Sequence, residues 1–414
     1  MKKKAFESLC IALIGGAIFV PVKVRAYDKN LVSNVRYRPN PDYQPDGGRI
    51  GVFVVRPSVM ILETFDDNIF READSESDSI TSIRPEVRIS SDWTLHGIEA
   101  GATGDFGRYA EHDSENYDDY SFYLSGRYDL DYETYLDVLA RYQKRHQERD
   151  TIEDPGGDEP LEYSIKTVFI GFTRDLSLLR VKASAAQHVY THEDGTVGST
   201  VIDNGTRDRT QQEFDLRVAY GLSDNYEIFT AVGYDRRRYD RDGVAFRDSQ
   251  STNIRGGLAV NFTGKLRGDI YAGYVHQSFN QSFGDVGLVN YGGSVLWNPS
   301  EITSVEARVG RMLVETVQTG ASTIVQTTAD ASVAHSFRQN ILGDVHVGYV
   351  DNSYEGSTGA NNDSEIYKAG GGLVYKPTKS VSTGIRYDFL TRKYEVSSRD
   401  YDNNTFRVFV RYDY

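Results

Sequence analysis

The sequence predicts an all-β chain that closes into a transmembrane antiparallel β-barrel of about eighteen strands, with sixteen as the alternative count. Three observations lead to this prediction. After residue 50 the chain becomes a series of segments in which every second residue is apolar. These segments are roughly 11 to 17 residues long, and none of them has helical periodicity. Very short connections alternate with long polar connections along the series.

The last segment shows the alternation most clearly. Its even-numbered positions are Phe406, Val408, Val410, Tyr412 and Tyr414, and polar or charged residues stand at most positions between them. A period of two with one apolar face indicates a half-buried strand. A tilted strand needs about 9–11 residues to cross a bilayer, whereas a globular strand usually has about five or six. The lengths therefore favour a membrane barrel over a sandwich or propeller.

The first two predicted strands each contain a proline, at Pro57 and Pro85. Proline has no N–H to give to a sheet, so we expect a bulge at each position or a shorter first strand.

The connections predict which end of the barrel is which. Ser223-Asp224 and Pro377-Thr378-Lys379 are typical of the short set, and residues 66–78 and 192–208 of the long set. Outer-membrane barrels have short periplasmic turns and long outer loops. In lipid every backbone N–H and C=O must be paired within the protein, so such a sheet must close.

The N-terminus predicts export. Lys2, Lys3 and Lys4 precede an apolar stretch, and Val24-Arg25-Ala26 resembles a cleavage site. We interpret residues 1–26 as a signal peptide, 27–49 as a polar periplasmic leader and 50–414 as the barrel, located in the outer membrane of a Gram-negative bacterium. The single cysteine, Cys10, falls in the signal peptide. Disulfides and cysteine metal sites are therefore not expected.

Charge and motifs argue against several other functions. The 46 basic and 60 acidic residues give a net charge of −14, which disfavours nucleic acid as a partner. The catalytic motifs H-E-x-x-H and G-x-S-x-G and the P-loop are absent from the sequence. The i,i+4 pair His188 and His192 does not converge on a metal when it lies on a strand. Asp66-Asp67 and Asp118-Asp119 have oxygen ligands that suit Ca²⁺, but such runs are more often solvated loop ends. We predict no catalytic residue, metal or cofactor.

The residues out of phase with the apolar stripe should face the lumen, and those with charge are candidate pore-lining residues. They are Arg127, Asp129, Asp137, Arg141, Asp215, Arg217, Asp269, Arg308, Asp344, Arg386, Asp388, Arg407 and Arg411. Two interpretations stay open. The charges tune selectivity, or they pair with one another and only solvate the wall. The inward aromatic residues Tyr123, Tyr271 and Phe409 are candidates for contact with sugars.

The N-terminal part of the barrel resembles the "Putative beta-barrel porin 2" family (BBP2) of Gram-negative outer-membrane proteins. The resemblance lies in Arg56-Pro57-Ser58, Phe65 to Phe70, Arg84-Pro85, Ser90 to Trp93 with His96, and Glu115 to Tyr120. It implies an outer-membrane barrel, and some members resemble components of exopolysaccharide export systems. The terminal strand ending in Phe406, Val408, Val410, Tyr412 and Tyr414 resembles the signal read by the barrel assembly machinery.

Three classes of function follow from these observations. The first is a porin-like channel, either for small solutes or as an exit conduit for exopolysaccharide. The second is a plugged barrel that serves as a structural or assembly partner in an envelope or polysaccharide export system. The weakest is an outer-membrane enzyme. The expected partners are outer-membrane lipid, the assembly machinery, and polysaccharide or small solutes.

Overall fold

The computed structural model describes residues 33–414 except 39, 150, 152, 153, 155, 242, 243, 245, 246, 263, 264, 281, 282, 317, 319 and 357–362. The predicted signal peptide lies outside these residues, as does the part of the predicted leader before residue 33. Within the part of the chain that the structure describes, no helix is long and apolar enough to cross a membrane.

Twenty-one strands are present in the described residues, and eighteen of them are long. In chain order they are β1 (Gly48–Ile50), β2 (Phe53–Asp66), β3 (Asp78–Ser91), β4 (Gly97–Tyr109), β5 (Tyr117–Asp129), β6 (Thr134–His146), β7 (Glu162–Leu176), β8 (Leu179–His192), β9 (Gly195–Val197), β10 (Thr200–Ile202), β11 (Arg209–Ser223), β12 (Tyr226–Tyr239), β13 (Ser249–Phe262), β14 (Leu266–Phe279), β15 (Val286–Ser300), β16 (Thr303–Val314), β17 (Thr323–Arg338), β18 (Ile341–Glu355), β19 (Ser364–Tyr375), β20 (Val381–Tyr394) and β21 (Tyr401–Asp413). Short 3₁₀ turns occupy Val35–Tyr37, Pro41–Tyr43, Asp113–Glu115, Asn204–Arg207 and Ser397–Arg399.

The long strands form one closed antiparallel barrel. Each pairs with the next long strand along the chain, β8 pairs with β11 past the small β9–β10 hairpin, and β2 pairs with β21. Closure leaves no unpaired edge in the wall, which is what a bilayer requires. The predicted barrel of eighteen strands is confirmed, and the alternative count of sixteen is wrong.

The two faces of the wall differ in polarity. On β18, Val345 and Val347 are 59% and 57% exposed, whereas Asp344 and His346 occupy the other phase. The same alternation runs through the other long strands, with large apolar residues exposed on one phase. Apolar side chains on the outer face match the hydrocarbon of a bilayer, and polar side chains then face the lumen.

The two prolines do not behave as predicted. The β2–β3 register runs without a shift through Pro57 and Pro85, and β2 is no shorter than its neighbours. Pro57 precedes Ser58, where pairing with β21 begins, and its carbonyl still accepts from the Tyr414 N–H. At Pro85 the ladder to β4 is interrupted and resumes in the same register. The ladder from β3 to β4 lacks Arg84 and Pro85, but the register does not shift at either proline, so no bulge is present.

The outer face should be sensitive to charge. We expect Val347→Arg, near the middle of β18, to lower the free energy of unfolding in lipid by about 2–4 kcal/mol, the cost of an arginine at the bilayer midplane. Ser332→Arg on β17 is the control, because Ser332 is opposite His346 and on the inward phase. Equal losses in both variants, measured by urea unfolding in vesicles, would contradict this assignment of faces.

Candidate functional site: the barrel lumen

All thirteen candidate pore-lining residues lie on the phase opposite to the exposed apolar side chains. Each alternates with exposed apolar residues of its strand, as Arg407 does between Phe406 and Val408. This position places them on the inward face of the wall. That they line an open pore stays a prediction.

A chain of ion pairs crosses three strands near the short-turn end. Arg386 on β20 lies 3.2 Å from Asp344 on β18 and 3.1 Å from Asp388. Arg407 on β21 lies 2.8 Å from Asp388. Because Arg386 spans β19 to reach β18, these side chains must point to the inside of the curved wall. The geometry supports mutual pairing as one role of these charges.

The other candidates are held in several ways. Arg127 pairs with Asp129 at 3.0 Å, and Arg411 pairs with Asp413 at 2.9 Å and with Glu86 at 3.1 Å. The remaining contacts are those of Arg255 with Asp215, Ser294 with Asp269 at 2.6 Å, Glu306 with Arg308 at 3.8 Å, Arg141 over the Tyr123 ring and Arg217 over the Phe229 ring. Asp137 is directly opposite Arg127 in the register and is only 5% exposed.

The inward aromatic residues lie against glycines. Tyr123, Tyr271 and Phe409 are directly opposite Gly101, Gly292 and Gly384, respectively, on the adjacent strands. A Cβ atom built on these glycines would lie only 2.4–2.5 Å from the nearest atom of the aromatic side chain. The rings therefore need glycine in order to lie flat on the wall, and they cover backbone that would otherwise be bare. This contact accounts for the aromatic residues without a bound sugar.

An inward-folded hairpin narrows the lumen at the long-loop end. We call residues 312–325, without residues 317 and 319, the inward hairpin. Pairing between β15 and β16 ends at Tyr291 and Arg311, so the last residues of β16 leave the wall. Leu313 and Val325 then pack on Val275 and Leu288, which belong to the inward phase of β14 and β15.

The tip of the inward hairpin is anchored to the inner face of β12, beyond β14 and β15. Glu315 accepts hydrogen bonds from Arg237 and Tyr239 at the end of β12. Arg237 also pairs with Asp235 at 2.9 Å and is 9% exposed. Arg247 donates to the Thr316 carbonyl at 2.7 Å. The hairpin thus spans the inner face from β16 to β12 and occupies part of the lumen.

The N-terminal segment occupies the opposite, short-turn end. We call residues 33–47, without residue 39, the N-terminal segment. Its backbone is fixed to the inward wall by a 2.7 Å bond from the Val35 N–H to Ser304 and a 3.1 Å bond from Asn298 to the Ser33 carbonyl. Arg36 lies 2.8 Å from Asp344.

The structure describes part of the predicted polar leader, residues 27–49. The described part of residues 27–49 forms two 3₁₀ turns inside the barrel mouth and then reaches β1, which pairs with β2. Neither Arg36, Glu315 nor Arg237 was identified from the sequence. Each is held by contacts distant along the chain, and no local pattern marks it.

The other sequence candidates have ordinary structural roles. Asp66 pairs with Arg71 at 2.8 Å and Asp118 with Arg108 at 2.6 Å. His188 is buried against Thr167, whereas His192 contacts Asp208. Among the described residues, no group of three or more His, Cys, Asp or Glu is placed to hold a metal ion. The proposed assembly signal, Phe406 to Tyr414, lies on the outward phase of β21 and beyond its end.

A histidine in the β4–β5 outer loop makes a titratable contact. His112, in the β4–β5 loop, bonds Asp78 through Nδ1 at 3.0 Å and Glu76 through Nε2 at 2.9 Å. The hydrogen bond to Asp78, assisted by that to Glu76, holds the pKa of His112 above its usual value of 6.5. The charged ring therefore ties the β4–β5 loop to the β2–β3 loop.

This contact predicts a pH dependence of loop order. A raised histidine pKa gives stability that is complete below the unfolded pKa and lost as the pH rises through the folded pKa. We expect protease cleavage in residues 110–116 to accelerate as the pH rises from below about 6.5 through the folded pKa. His112→Asn, which does not titrate, should cleave at one rate over this range. An unchanged pH dependence in that variant would contradict the assignment.

The chain has a limited similarity to several solved structures. Among solved structures, Pseudomonas aeruginosa OpdL has 12% identity and a TM-score of 0.47, with 88% of this chain and 99% of that chain covered. Acinetobacter baumannii OccAB4 has 12% identity and a TM-score of 0.48, with 91% and 100% covered. Acinetobacter baumannii OccAB3 has 10% identity and a TM-score of 0.49, with 88% and 100% covered. Overlaps of this size do not bear on function.

No curated protein matches the sequence. The family profile described as "Putative beta-barrel porin 2" matches residues 40–414, which include the whole barrel wall. With its closed wall of eighteen strands and its charged inward face, the chain belongs to this family of porin-like outer-membrane β-barrels.

Proposed function

We propose that the protein is a constricted diffusion channel for small hydrophilic solutes. The observation that carries this proposal is the closed eighteen-stranded wall with a charged inward face, narrowed at both ends. Barrels of 16–18 strands are wide enough to hold an aqueous channel. The inward hairpin and the N-terminal segment would then act as sieves, and the paired charges would keep the wall wetted.

Two alternatives give different expectations for the same lumen. An exit conduit for exopolysaccharide, which the family resemblance suggested, needs a wide and continuous passage. The two inward elements and the ring-on-glycine contacts favour small solutes instead. A plugged structural or assembly-partner barrel would require these elements to block all passage.

Single-channel recording tests the proposal. The folded barrel, inserted into a planar bilayer in potassium chloride, should give discrete current steps of uniform size. Linear sugar oligomers added on either side should cause little blockade, because they do not enter a narrow lumen. Deep blockade that grows with oligomer length would support the polysaccharide conduit. A silent bilayer with protein of proven heat-modifiable mobility would support the plugged barrel.

A further inference from the structure

Two cations face each other on the inward wall near the short-turn end. Lys182 on β8 is directly opposite Arg217 on β11. Both alternate with outward apolar residues, and Lys182 is exposed. Like charges directly opposite on neighbouring strands repel and destabilise the pairing. A protein retains such a pair at a cost unless an anion is present to offset it.

Several of the nearby acids are engaged by other groups, as Asp269 is by the Ser294 hydroxyl. Arg180 contacts Asp175 and lies 2.8 Å from Glu227, and Arg255 contacts Asp215. Among the residues that the structure describes, no ion pair within 4.0 Å joins a carboxylate to Lys182 or Arg217. The positive charge of this pair is therefore available to a solute.

The surroundings of Arg217 hold it in place. Its guanidinium carbon lies 3.7 Å from the centre of the Phe229 ring, a cation–π contact that restricts the side chain. Residues directly opposite one another on successive strands form a row across the sheet. In the row of Arg217, Ala231 on β12 comes next and Arg255 on β13 follows, so a small side chain separates the two arginines. The positively charged row thus extends over β8, β11 and β13.

The row also lies away from the N-terminal segment. That segment contacts Asn298 on β15, Ser304 on β16 and Asp344 on β18. Lys182 follows the short turn before β8 by a few residues, so the pair lies near the same mouth but on a different part of the wall.

We propose that Lys182 and Arg217 form a binding site for the oxyanion group, a carboxylate or a phosphate, of a solute in the lumen. This inference deepens the proposed channel function and rests on it for access from both sides. A guanidinium presents a fork of N–H donors that matches two oxygens of such a group. The lysine ammonium adds a mobile point charge from the neighbouring strand.

Titration calorimetry on the folded full-length barrel in detergent tests the site without requiring conduction. The probes are succinate and inorganic phosphate, each at millimolar concentration and low ionic strength. The wild type should bind at least one of them, and the one bound identifies the source of the oxyanion. Lys182→Gln and Arg217→Gln should each weaken binding by roughly tenfold or more, since each removes a charge-assisted hydrogen bond.

Two control variants keep the result interpretable. Arg308→Gln removes an inward cation from β16, and it should leave the affinity unchanged. Lys182→Arg keeps the charge and should retain binding even if the glutamine variants fold poorly. No binding of either anion to the wild type would overturn the inference, as would equal weakening by Arg308→Gln.

Conduction is measured separately on the same preparations. Silent bilayers with intact anion binding would refute the channel and leave the site, whereas conducting bilayers without binding would refute the site and leave the channel.

Discussion

Glu315→Ala is expected to give a larger single-channel conductance than the wild type. The carboxylate of Glu315 is the acceptor through which both Arg237 and Tyr239 hold the tip of the inward hairpin against β12. Without it, the hairpin keeps its apolar contacts at Leu313 and Val325 but loses its polar anchor. The tip should then leave the inner wall and widen the constriction.

The energetic reason is the loss of a partner for a buried cation. Arg237 is 9% exposed, and breaking a buried ion pair by removing one partner costs about 3–5 kcal/mol. Asp235 stays beside Arg237 at 2.9 Å, so we expect the loss of stability to lie at the lower end of this range, about 3 kcal/mol. The arrangement favours release of the hairpin over unfolding of the barrel, because the hairpin is not paired with β15 above Arg311.

Planar bilayer recording measures the change in conductance, and urea unfolding measures the loss of stability. Glu306→Ala is the matched control, because Glu306 is an inward carboxylate of β16 whose partner Arg308 is 3.8 Å away and half-exposed. It changes the charge of the lumen equally but leaves the hairpin anchored. A conductance of Glu315→Ala no larger than that of Glu306→Ala would show that the hairpin is not the constriction.

Arg36→Glu is expected to release the N-terminal segment from the barrel mouth. Arg36 lies 2.8 Å from Asp344, whose side chain is 9% exposed. A glutamate there would place two carboxylates together in a poorly solvated site. Arg386 still balances Asp344, so we expect about 3 kcal/mol of lost docking energy. The barrel wall should persist, because its own hydrogen bonds are untouched.

Two measurements follow the segment. Conductance should rise, and a protease added on the short-turn side should cut within residues 33–47 faster than in the wild type. Arg49→Glu is the control at the same mouth, since its pair with Asp92 has both side chains more than half exposed and contributes about 0–1 kcal/mol. The double variant Arg36→Glu, Asp344→Asn should restore part of the docking of the N-terminal segment, because the two carboxylates no longer repel each other. Equal cleavage of the Arg36 and Arg49 variants would contradict the proposed anchor.

The local sequence pattern predicts the bounds of some strands well and of others poorly. The alternation of residues 248–262 predicts a strand there, and β13 spans Ser249–Phe262, because its alternation is clean and turns bound it. The pattern of residues 50–62 predicts the first long strand, but β2 spans Phe53–Asp66. Its start is an unbroken apolar run, which hides the phase, and Gly51 at φ +59° turns the chain from β1 into β2.

The inward charges were identifiable for the same local reason. Side chains alternate strictly between the two faces of a strand, so one apolar stripe fixes the face of every residue between. Which charges pair was not identifiable. Arg386 reaches Asp344 over β19, and Arg411 reaches Glu86 across the seam where the barrel closes. Those partners depend on strand order and register rather than on spacing in the sequence.

The sequence by itself predicted a closed barrel of about eighteen strands and the polarity of its two faces, since both follow from a period of two and from alternating connection lengths. Only the tertiary structure decided what narrows the lumen. The inward hairpin depends on β16 leaving β15 and on contacts between residues 78 positions apart, and the N-terminal segment depends on a contact 269 positions apart. Such contacts form because closure brings distant strands to one inner surface, which no local pattern encodes.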